Sequence, residues 1–236
     1  MQRSDARATL VICGTVPRMT RSEPSGLVRG PDLPFTWLAP LDRLAIAAEL
    51  AVRHGGCAAT LELPPAALES RSRLRDVLER GRVMLPDLAA VAVRGSVGPE
   101  HRGLLVEEGI RIALVEQLAG PSRGSRRPAP AGWRCRNACW GLWEVEVSGG
   151  LPRSPLARLG LGGRPWRGSL HVLRSEALAE GNGGTLFLAS RLERQLAWAR
   201  RQVDRGRACA LTLDQLAARL AGGEQTPRDH SVLRAA

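Results

Sequence analysis

The sequence has no lysine and no tyrosine, and only two phenylalanines and two asparagines among its 236 residues. Arginine, alanine, glycine and proline are abundant instead, and the formal net charge is +11. A charge of this size usually indicates a polyanionic partner such as nucleic acid. Because the same bias is expected from a coding sequence very rich in G and C, we interpret the arginine content as mainly compositional.

Long apolar runs are also missing. The apolar stretch within the first sixteen residues is too short for a secretory signal or a membrane span. The five cysteines are an odd number and lie mostly inside apolar runs, which favours buried thiols in a reducing compartment over a disulfide framework. We therefore expect a cytoplasmic protein with no membrane association.

The motifs of common catalytic sites are absent from the sequence. The four histidines form neither an H-E-x-x-H motif nor a pair at helical spacing, and Cys135 and Cys139 lack a second ligand pair. There is no G-x-S-x-G turn for a serine nucleophile. The glycine-rich stretches at 160–163 and 181–184 lack the residues of a phosphate-binding loop. We predict no metal and no cofactor.

What the sequence does have is an alternation of short apolar runs with helix-like stretches. Each run predicts a buried strand, and each helix-like stretch predicts a helix that covers the sheet. The pairs are Ala58–Leu63 with Arg71–Leu85, Leu88–Val93 with Pro99–Glu108, and Ala208–Leu213 with Gln215–Leu220. Further strands are predicted at Thr9–Val16, Ile110–Val115, Trp140–Ser148 and Ser169–Leu173, and further helices at Leu41–His54 and Arg191–Arg205. This pattern predicts one α/β domain over residues 1–236.

Segments rich in Pro, Gly, Ser and Arg interrupt the pattern. We predict irregular structure at 17–34, 120–132 and 149–167, and a frayed tail at 222–236. Two helix starts carry capping signals: Ser190 with Glu193 matches a capping box, and Asp214 is the predicted cap of the last helix.

One group of carboxylates is a candidate site. Glu144 and Glu146 are two residues apart on a predicted strand and therefore share a face. If that face is interior, Glu116, at the end of another strand, converges with them. The alternative is an outward face on which the glutamates are solvated or paired with arginines. Trp143 lies in the same region, where an aromatic ring either stacks on a sugar or packs in the core.

Three patches resemble the polysaccharide deacetylase family of carbohydrate esterases. Residues 141–148 (GLWEVEVS) are similar to the family's G-L-x-E-x-P-V-S strand, with Glu146 in place of proline. Residues 169–172 (SLHV) resemble its L-H-P segment, and residues 198–220 resemble its closing helix–strand–helix. The likeness extends over roughly Leu41 to Leu220. It implies a distorted (β/α) barrel of about seven mainly parallel strands with outer helices, and a general-acid role for His171.

The departures from that family concern its zinc site. Active members have an aspartate pair after the first strand, where this chain reads Ile12-Cys13-Gly14-Thr15. They have two histidines after the third predicted strand, where residues 94–98 read RGSVG. Without these ligands no bound water is activated for hydrolysis. The resemblance therefore implies a pseudoenzyme.

The leading hypothesis is a deacetylase-like barrel that has lost metal-dependent hydrolysis and acts in carbohydrate binding or regulation. Its expected partner is a saccharide or another anionic small molecule at the strand ends, where Arg94 offers bidentate contacts to a carboxylate or sulfate. Glu116, Trp143, Glu144 and His171 complete the predicted lining.

Two alternatives remain open. The first is an active carbohydrate hydrolase in which Glu116 or Glu144 works with His171 as an acid/base pair. The second is an arginine-rich protein that binds nucleic acid through Gly120–Arg136. In the same segment, Arg126 and Arg127 belong to the densest basic cluster, which is the predicted docking point for a phosphate or an acidic sugar.

Overall fold

The computed structural model describes residues 7–16, 31–116, 135–148, 169–180 and 186–221. Its strands are β1 (Ala8–Thr15), β2 (Phe35–Ala39), β3 (Cys57–Leu63), β4 (Ala90–Val93), β5 (Ile112–Val115), β6 (Cys135–Cys139), β7 (Leu142–Glu146), β8 (Leu170–Glu176), β9 (Leu178–Glu180), β10 (Leu186–Leu188) and β11 (Ala208–Leu211). Its helices are α1 (Leu44–Arg53), α2 (Arg71–Met84), α3 (Pro99–Glu107), α4 (Ser190–Asp204) and α5 (Leu213–Ala221). Turns of 3-10 helix lie at Leu41–Arg43 and Pro65–Glu69.

Nine of these strands form one sheet in which every pairing is parallel except that of β6 with β7. Strand β1 is the hub of the sheet. The first half of one edge of β1 pairs with β11 and the second half with β2, while β8 pairs along the whole of the other edge. From β2 the sheet continues through β3, β4, β5 and β7 to β6. The predicted α/β class with a mainly parallel sheet is confirmed.

The sheet is strongly curled. β8 and β5 are five strand spacings apart, which is about 24 Å in a flat sheet. Nevertheless Arg174 on β8 lies 3.6 Å from Glu116, the residue after β5. The amide of Ser148, two residues beyond β7, donates a 2.8 Å hydrogen bond to the carbonyl of Val172 on β8. The sheet is therefore a half-barrel with helices around it.

The predicted barrel does not close. Strand β7 pairs with β5 along one edge and with the antiparallel β6 along the other, from Leu142 to Val145. The edge that would complete a ring is thus occupied. Only beyond the β6 ladder, at Ser148, does the chain that leaves β7 reach β8.

Alternate residues of each strand face two separate layers. On the outer face, residues such as Leu10, Trp37 and Leu61 pack under α1 to α4. On the inner face, residues such as Leu38 and Leu114 pack with α5. Most of the parallel strands contribute residues to both clusters. Membership of a cluster therefore shows whether a residue faces the outer layer, with α1 to α4, or the inner layer, with α5.

Most predicted elements agree with the structure to within a few residues, but β6, β9 and β10 fall outside every predicted strand, and so does β2. Its five residues are all buried, so both faces read as apolar and no alternation marks it. Proline flanks it on each side, at Pro34 and Pro40. Such a short uniform run between prolines is typical of a buried parallel strand and also of a loop.

Both predicted helix caps are wrong. Ser190 is the first residue of α4, and the cap is Ala189, which has no side-chain hydrogen bond. Helix α5 begins at Leu213, so Asp214 lies within its first turn. The side chain that caps α5 is Thr212, which accepts a hydrogen bond from the amide of Gln215.

Candidate functional site

A cavity of about 890 Å³ opens at the carboxyl ends of the parallel strands. This volume is in the range of small-molecule sites, and strand ends are the usual place for them in α/β folds. We call it the strand-end pocket. It is lined by Thr15, Val16, Pro40, Glu62, Leu63, Pro64, Pro65, Arg94, Glu116, Val147, Arg174, Ser175, Glu176 and Arg191.

Strand alternation explains why charged side chains meet in this pocket. On β3, Leu61 and Leu63 pack against the outer layer, so Glu62 between them faces inward. On β8, Leu173 packs outward and Val172 inward, which turns Arg174 to the inner face. Since the sheet curls toward that face, the two side chains converge although two strands lie between β3 and β8.

Glu62 is held by two arginines. Its Oε1 accepts a 2.6 Å hydrogen bond from Arg94 Nε and a 2.8 Å hydrogen bond from Arg174 Nη2. The Glu62 side chain is 6% exposed and that of Arg174 10%, whereas Arg94 is 61% exposed. Arg174 Nε also donates to Thr15 Oγ1 at 3.4 Å. The three strands β1, β3 and β8 are thus joined at the floor of the pocket by one guanidinium group.

Two buried polar atoms at this floor have no hydrogen-bond partner among the described residues. They are Oε2 of Glu62, an acceptor, and Nη1 of Arg174, a donor. Arg174 Nη1 lies 3.6 Å from Glu116 Oε1. The two groups form an ion pair, but the distance is too long for a hydrogen bond. Buried groups of this kind normally find a partner, so an unpaired acceptor and an unpaired donor on two residues of one pocket indicate a place for a ligand or water.

Two pKa values are shifted at or near this pocket, those of Arg94 and Cys13. The hydrogen bond to Glu62, together with the charges of Glu62 and Glu116, raises the pKa of Arg94 above its usual value despite partial desolvation. Cys13 faces the inner layer on β1, and burial raises the pKa of its thiol to about 12, although Arg174 acts in the opposite direction. A thiol with such a pKa is not a thiolate nucleophile at neutral pH.

The structure places two of the predicted site residues, Arg94 and Glu116, in the strand-end pocket. Glu144 is not among its lining residues. Leu142, two residues before it, packs in the outer layer, so Glu144 faces outward as well. There its carboxylate accepts 2.7 Å hydrogen bonds from Arg102 Nε and Arg136 Nε. The alternative interpretation, arginine pairing on an outward face, is the one that the structure adopts.

His171 and Trp143 also lie away from the pocket. His171 is outward on β8, is paired in register with Leu10 near the start of β1, and shares a 2.8 Å hydrogen bond with Ser169 Oγ. Trp143 faces inward but stands at the beginning of β7, where it packs against the inner core. Both are near the amino ends of the strands, so they do not converge with Glu116.

The predicted basic cluster at Arg126 and Arg127 lies outside the described residues. Arg136, at the end of the same segment, is committed to Glu144. The arginines of α2 are also matched by acids: the ion pairs are Arg71–Glu107, Arg73–Glu69, Arg75–Glu108, Arg80–Asp76 and Arg82–Glu108. The surface of α2 therefore presents paired charges and not a basic stripe.

Glu62 and Arg174 are functional candidates that the sequence patterns miss. Each is a charged residue inside a strand whose neighbours are buried, in the contexts Leu61-Glu62-Leu63 and Leu173-Arg174-Ser175. A lone charge in a buried strand is costly unless it is paired, so this context is a usable signal. It does not reveal the partner, because 112 residues separate the two.

The residues of this site do not fit a metal ion. Arg94 and Arg174 already bond to the carboxylate of Glu62, and in the described part of the chain no three His, Cys, Asp or Glu side chains are grouped closely enough to hold one.

Every helix within the described ranges is too short or too polar to cross a bilayer. Comparison of the chain with protein-family models, with curated proteins and with solved structures gives no significant match.

Proposed function

We propose that this chain is a polysaccharide deacetylase-like protein that binds a carbohydrate in the strand-end pocket and does not catalyse metal-dependent hydrolysis. The observation that carries the proposal is the pair of unpaired buried atoms, Glu62 Oε2 and Arg174 Nη1, which belong to two residues that line that pocket. Glu62 needs a donor and Arg174 needs an acceptor. A sugar hydroxyl group is both at once, and two neighbouring hydroxyls satisfy the two atoms together.

The rest of the pocket suits such a ligand. Pro64 and Pro65, which follow β3, line the pocket together with Val16 and Val147 and contribute apolar surface to it. Ligand pockets typically combine an apolar lining with a few well-placed polar groups. The cavity of about 890 Å³ is large enough for more than a single small ion.

The loss of zinc follows from what stands at the strand ends. Since β2 adds a strand, β3 is the third strand along the chain, and the family's histidine pair would follow β3 and not β4, which residues 94–98 follow. The sequence there is Leu63-Pro64-Pro65, without a histidine. At the end of β1, a Cβ on Gly14 would lie 2.5 Å from Phe35 Cζ, so a carboxylate side chain does not fit.

The proposal includes descent of the half-barrel from the closed (β/α) barrel of the family. Parallel pairing from β8 round to β7 and the hydrogen bond between Ser148 and Val172 support descent from a ring of strands, which β6 now interrupts. No described contact favours the hydrolase alternative in its predicted form, because Glu144 and His171 face the outer layer. For the nucleic-acid alternative, the deciding residues are outside the described ranges.

The proposal is tested by calorimetric titration with a panel of probes: glucose, D-glucuronate and an N-acetylglucosamine tetramer. We expect at least one sugar to bind, and no acetate to be released from the acetylated tetramer with or without added zinc. Acetate release, or no binding by any member of the panel, would show the proposal to be wrong.

The chain offers a matched pair of variants for this test. Glu62→Gln and Glu144→Gln each remove one buried carboxylate that two arginines hold, but only Glu62 lines the pocket. Both variants are expected to lower the melting temperature, and both are titrated well below it. Sugar binding should be lost in Glu62→Gln and kept in Glu144→Gln. Equal loss in both would mean that the pocket is not the binding site.

A further inference from the structure

We infer that the ligand of the strand-end pocket carries a carboxylate, as a uronic-acid sugar does, and that this carboxylate is seated between Arg174 and Arg94 in the place that Glu116 approaches loosely. The inference rests on the proposed function and narrows it from carbohydrates in general to acidic ones. It is argued from the charge of the pocket floor, the unused donors and the position of Glu116.

The two arginines bonded to Glu62 carry one positive charge more than Glu62 neutralises, and the balancing carboxylate, Glu116, lies 3.6 Å from Arg174 without a hydrogen bond. Glu62 contributes one negative charge, and the two guanidinium groups bonded to it, Arg94 and Arg174, contribute two positive charges. Arg174 is nine-tenths buried, and its charge is therefore weakly screened. A ligand anion at this point therefore competes with the half-exposed Glu116 for the charge of Arg174.

The donors that would bind the anion are in place. Arg174 Nη1 is buried without a hydrogen-bond partner. Arg94 uses Nε for Glu62, and no other described hydrogen bond is recorded for its guanidinium, which leaves both terminal amino groups to a ligand. The planar guanidinium fork matches the two oxygens of a carboxylate. Arg191, on the first turn of α4, and Glu176, at the end of β8, also line the pocket and contribute one charge of each sign.

Glu116 is an incomplete substitute for that anion. Its carboxylate lies 3.6 Å from Arg174 Nη1, too far for a hydrogen bond, and its side chain is 51% exposed. Water screens a charge so exposed, so its attraction to the arginines is modest. A ligand carboxylate that bonds directly to Arg174 Nη1 and Arg94 has the stronger interaction, and Glu116 then moves toward solvent. Glu176 is exposed and also lines the pocket, but among the described residues it forms no ion pair with Arg94 or Arg174.

The test compares three sugars of similar shape at constant ionic strength: D-glucuronate, its neutral methyl ester and glucose. The full chain is titrated calorimetrically with each. We expect glucuronate to bind roughly tenfold to a hundredfold more tightly than the ester, as one or two charge-assisted hydrogen bonds allow. Ester and glucose binding as tightly as glucuronate would overturn the carboxylate assignment and leave the proposed function standing. No binding by any of the three would overturn the assignment together with the sugar-binding pocket.

Three variants locate the carboxylate. Arg94→Gln should bring the affinity ratio of glucuronate to its ester close to one, and Arg94→Lys should recover only part of it. Glu116→Gln should raise glucuronate affinity several-fold because it removes a competing negative charge. Arg53→Gln, which loses an exposed pair with Glu49 on α1, is the control and should change neither value. An unchanged ratio in Arg94→Gln would show that the carboxylate binds elsewhere.

Discussion

Ser148 and Val172 hold each other by two hydrogen bonds across the open side of the sheet. The amide of Ser148 donates to the carbonyl of Val172 at 2.8 Å, and the amide of Val172 donates to Ser148 Oγ at 3.0 Å. The second bond depends on a side chain where a full strand ladder would use a backbone carbonyl. This pair is therefore the point at which the two ends of the curled sheet are joined.

Ser148→Ala is expected to lower the free energy of unfolding by about 1–2 kcal/mol, because the buried amide of Val172 loses its acceptor. Urea unfolding measures the loss, and hydrogen exchange at the Val172 amide should accelerate. Ser148→Thr keeps the hydroxyl group and should behave like the original chain. If Ser148→Ala is as stable as Ser148→Thr, the side-chain bond contributes nothing to closing the sheet.

Glu144→Ala should be among the most destabilising single substitutions, at about 3 kcal/mol or more. The change leaves Arg102 and Arg136, which are partly buried, without the carboxylate that both contact. The comparison is Glu49→Ala, which breaks an exposed pair and should cost less than about 1 kcal/mol. Chemical denaturation of both variants gives the two values, and a similar loss in each would contradict the assigned importance of burial.

Asp214 makes stability depend on pH. Burial, helped by the charge of Asp87, raises the pKa of Asp214 from 3.8 to about 6. The folded state therefore binds this proton more tightly than the unfolded chain does. The stabilising contribution is complete below pH 4 and is lost as the pH rises through 6, with a total of up to about 3 kcal/mol.

Asp214→Asn removes that penalty. The variant should be more stable than the original chain at pH 7.5, and the gain should shrink steadily as the pH falls toward 4. Urea unfolding over this pH range follows the difference. Asp76→Asn, which removes an exposed carboxylate on α2, is measured alongside for comparison. A gain that does not vary with pH would mean that Asp214 titrates normally.

Thr212→Ala tests the start of α5. The Thr212 hydroxyl accepts from the Gln215 amide at 3.2 Å, and Gln215 Oε1 accepts from the Thr212 amide at 3.0 Å, which is a reciprocal capping box. Its loss should cost about 1 kcal/mol, while Thr212→Ser should retain most of the stability. Ser190→Ala, at the misassigned cap of α4, should change thermal stability little. A larger loss of stability in Ser190→Ala than in Thr212→Ala would support the cap predicted from the sequence for α4.

The capping boxes show where local patterns mislead. Both Ser190-x-x-Glu193 and Thr212-x-x-Gln215 fit the same motif, but only the second forms the bonds. In α4 the helix begins one residue earlier, at a position set by the packing of Leu192 and Trp198 in the outer core. Propensity at a helix end is a small energy, and burial of large apolar side chains outweighs it.

The pocket shows the same division between local and non-local information. Arg94 and Glu116 were predictable because each directly follows an apolar run, and strand ends of a parallel sheet converge. Glu62 and Arg174 were not, because they lie inside strands, and their convergence depends on which face turns inward. Glu144 was assigned to the site because it shares a strand face with Glu146, but that face turns outward.

The sequence by itself determines the α/β class, the main strands and helices, and the absence of zinc-binding motifs at the strand ends. These follow from short-range periodicity and residue type, which are legible along the chain. Tertiary structure alone decides that the sheet curls without closing, that α5 covers its inner face, and that Arg174 meets Glu62 and approaches Glu116. These depend on contacts between residues far apart in sequence, whose geometry is set by the curl of the whole sheet.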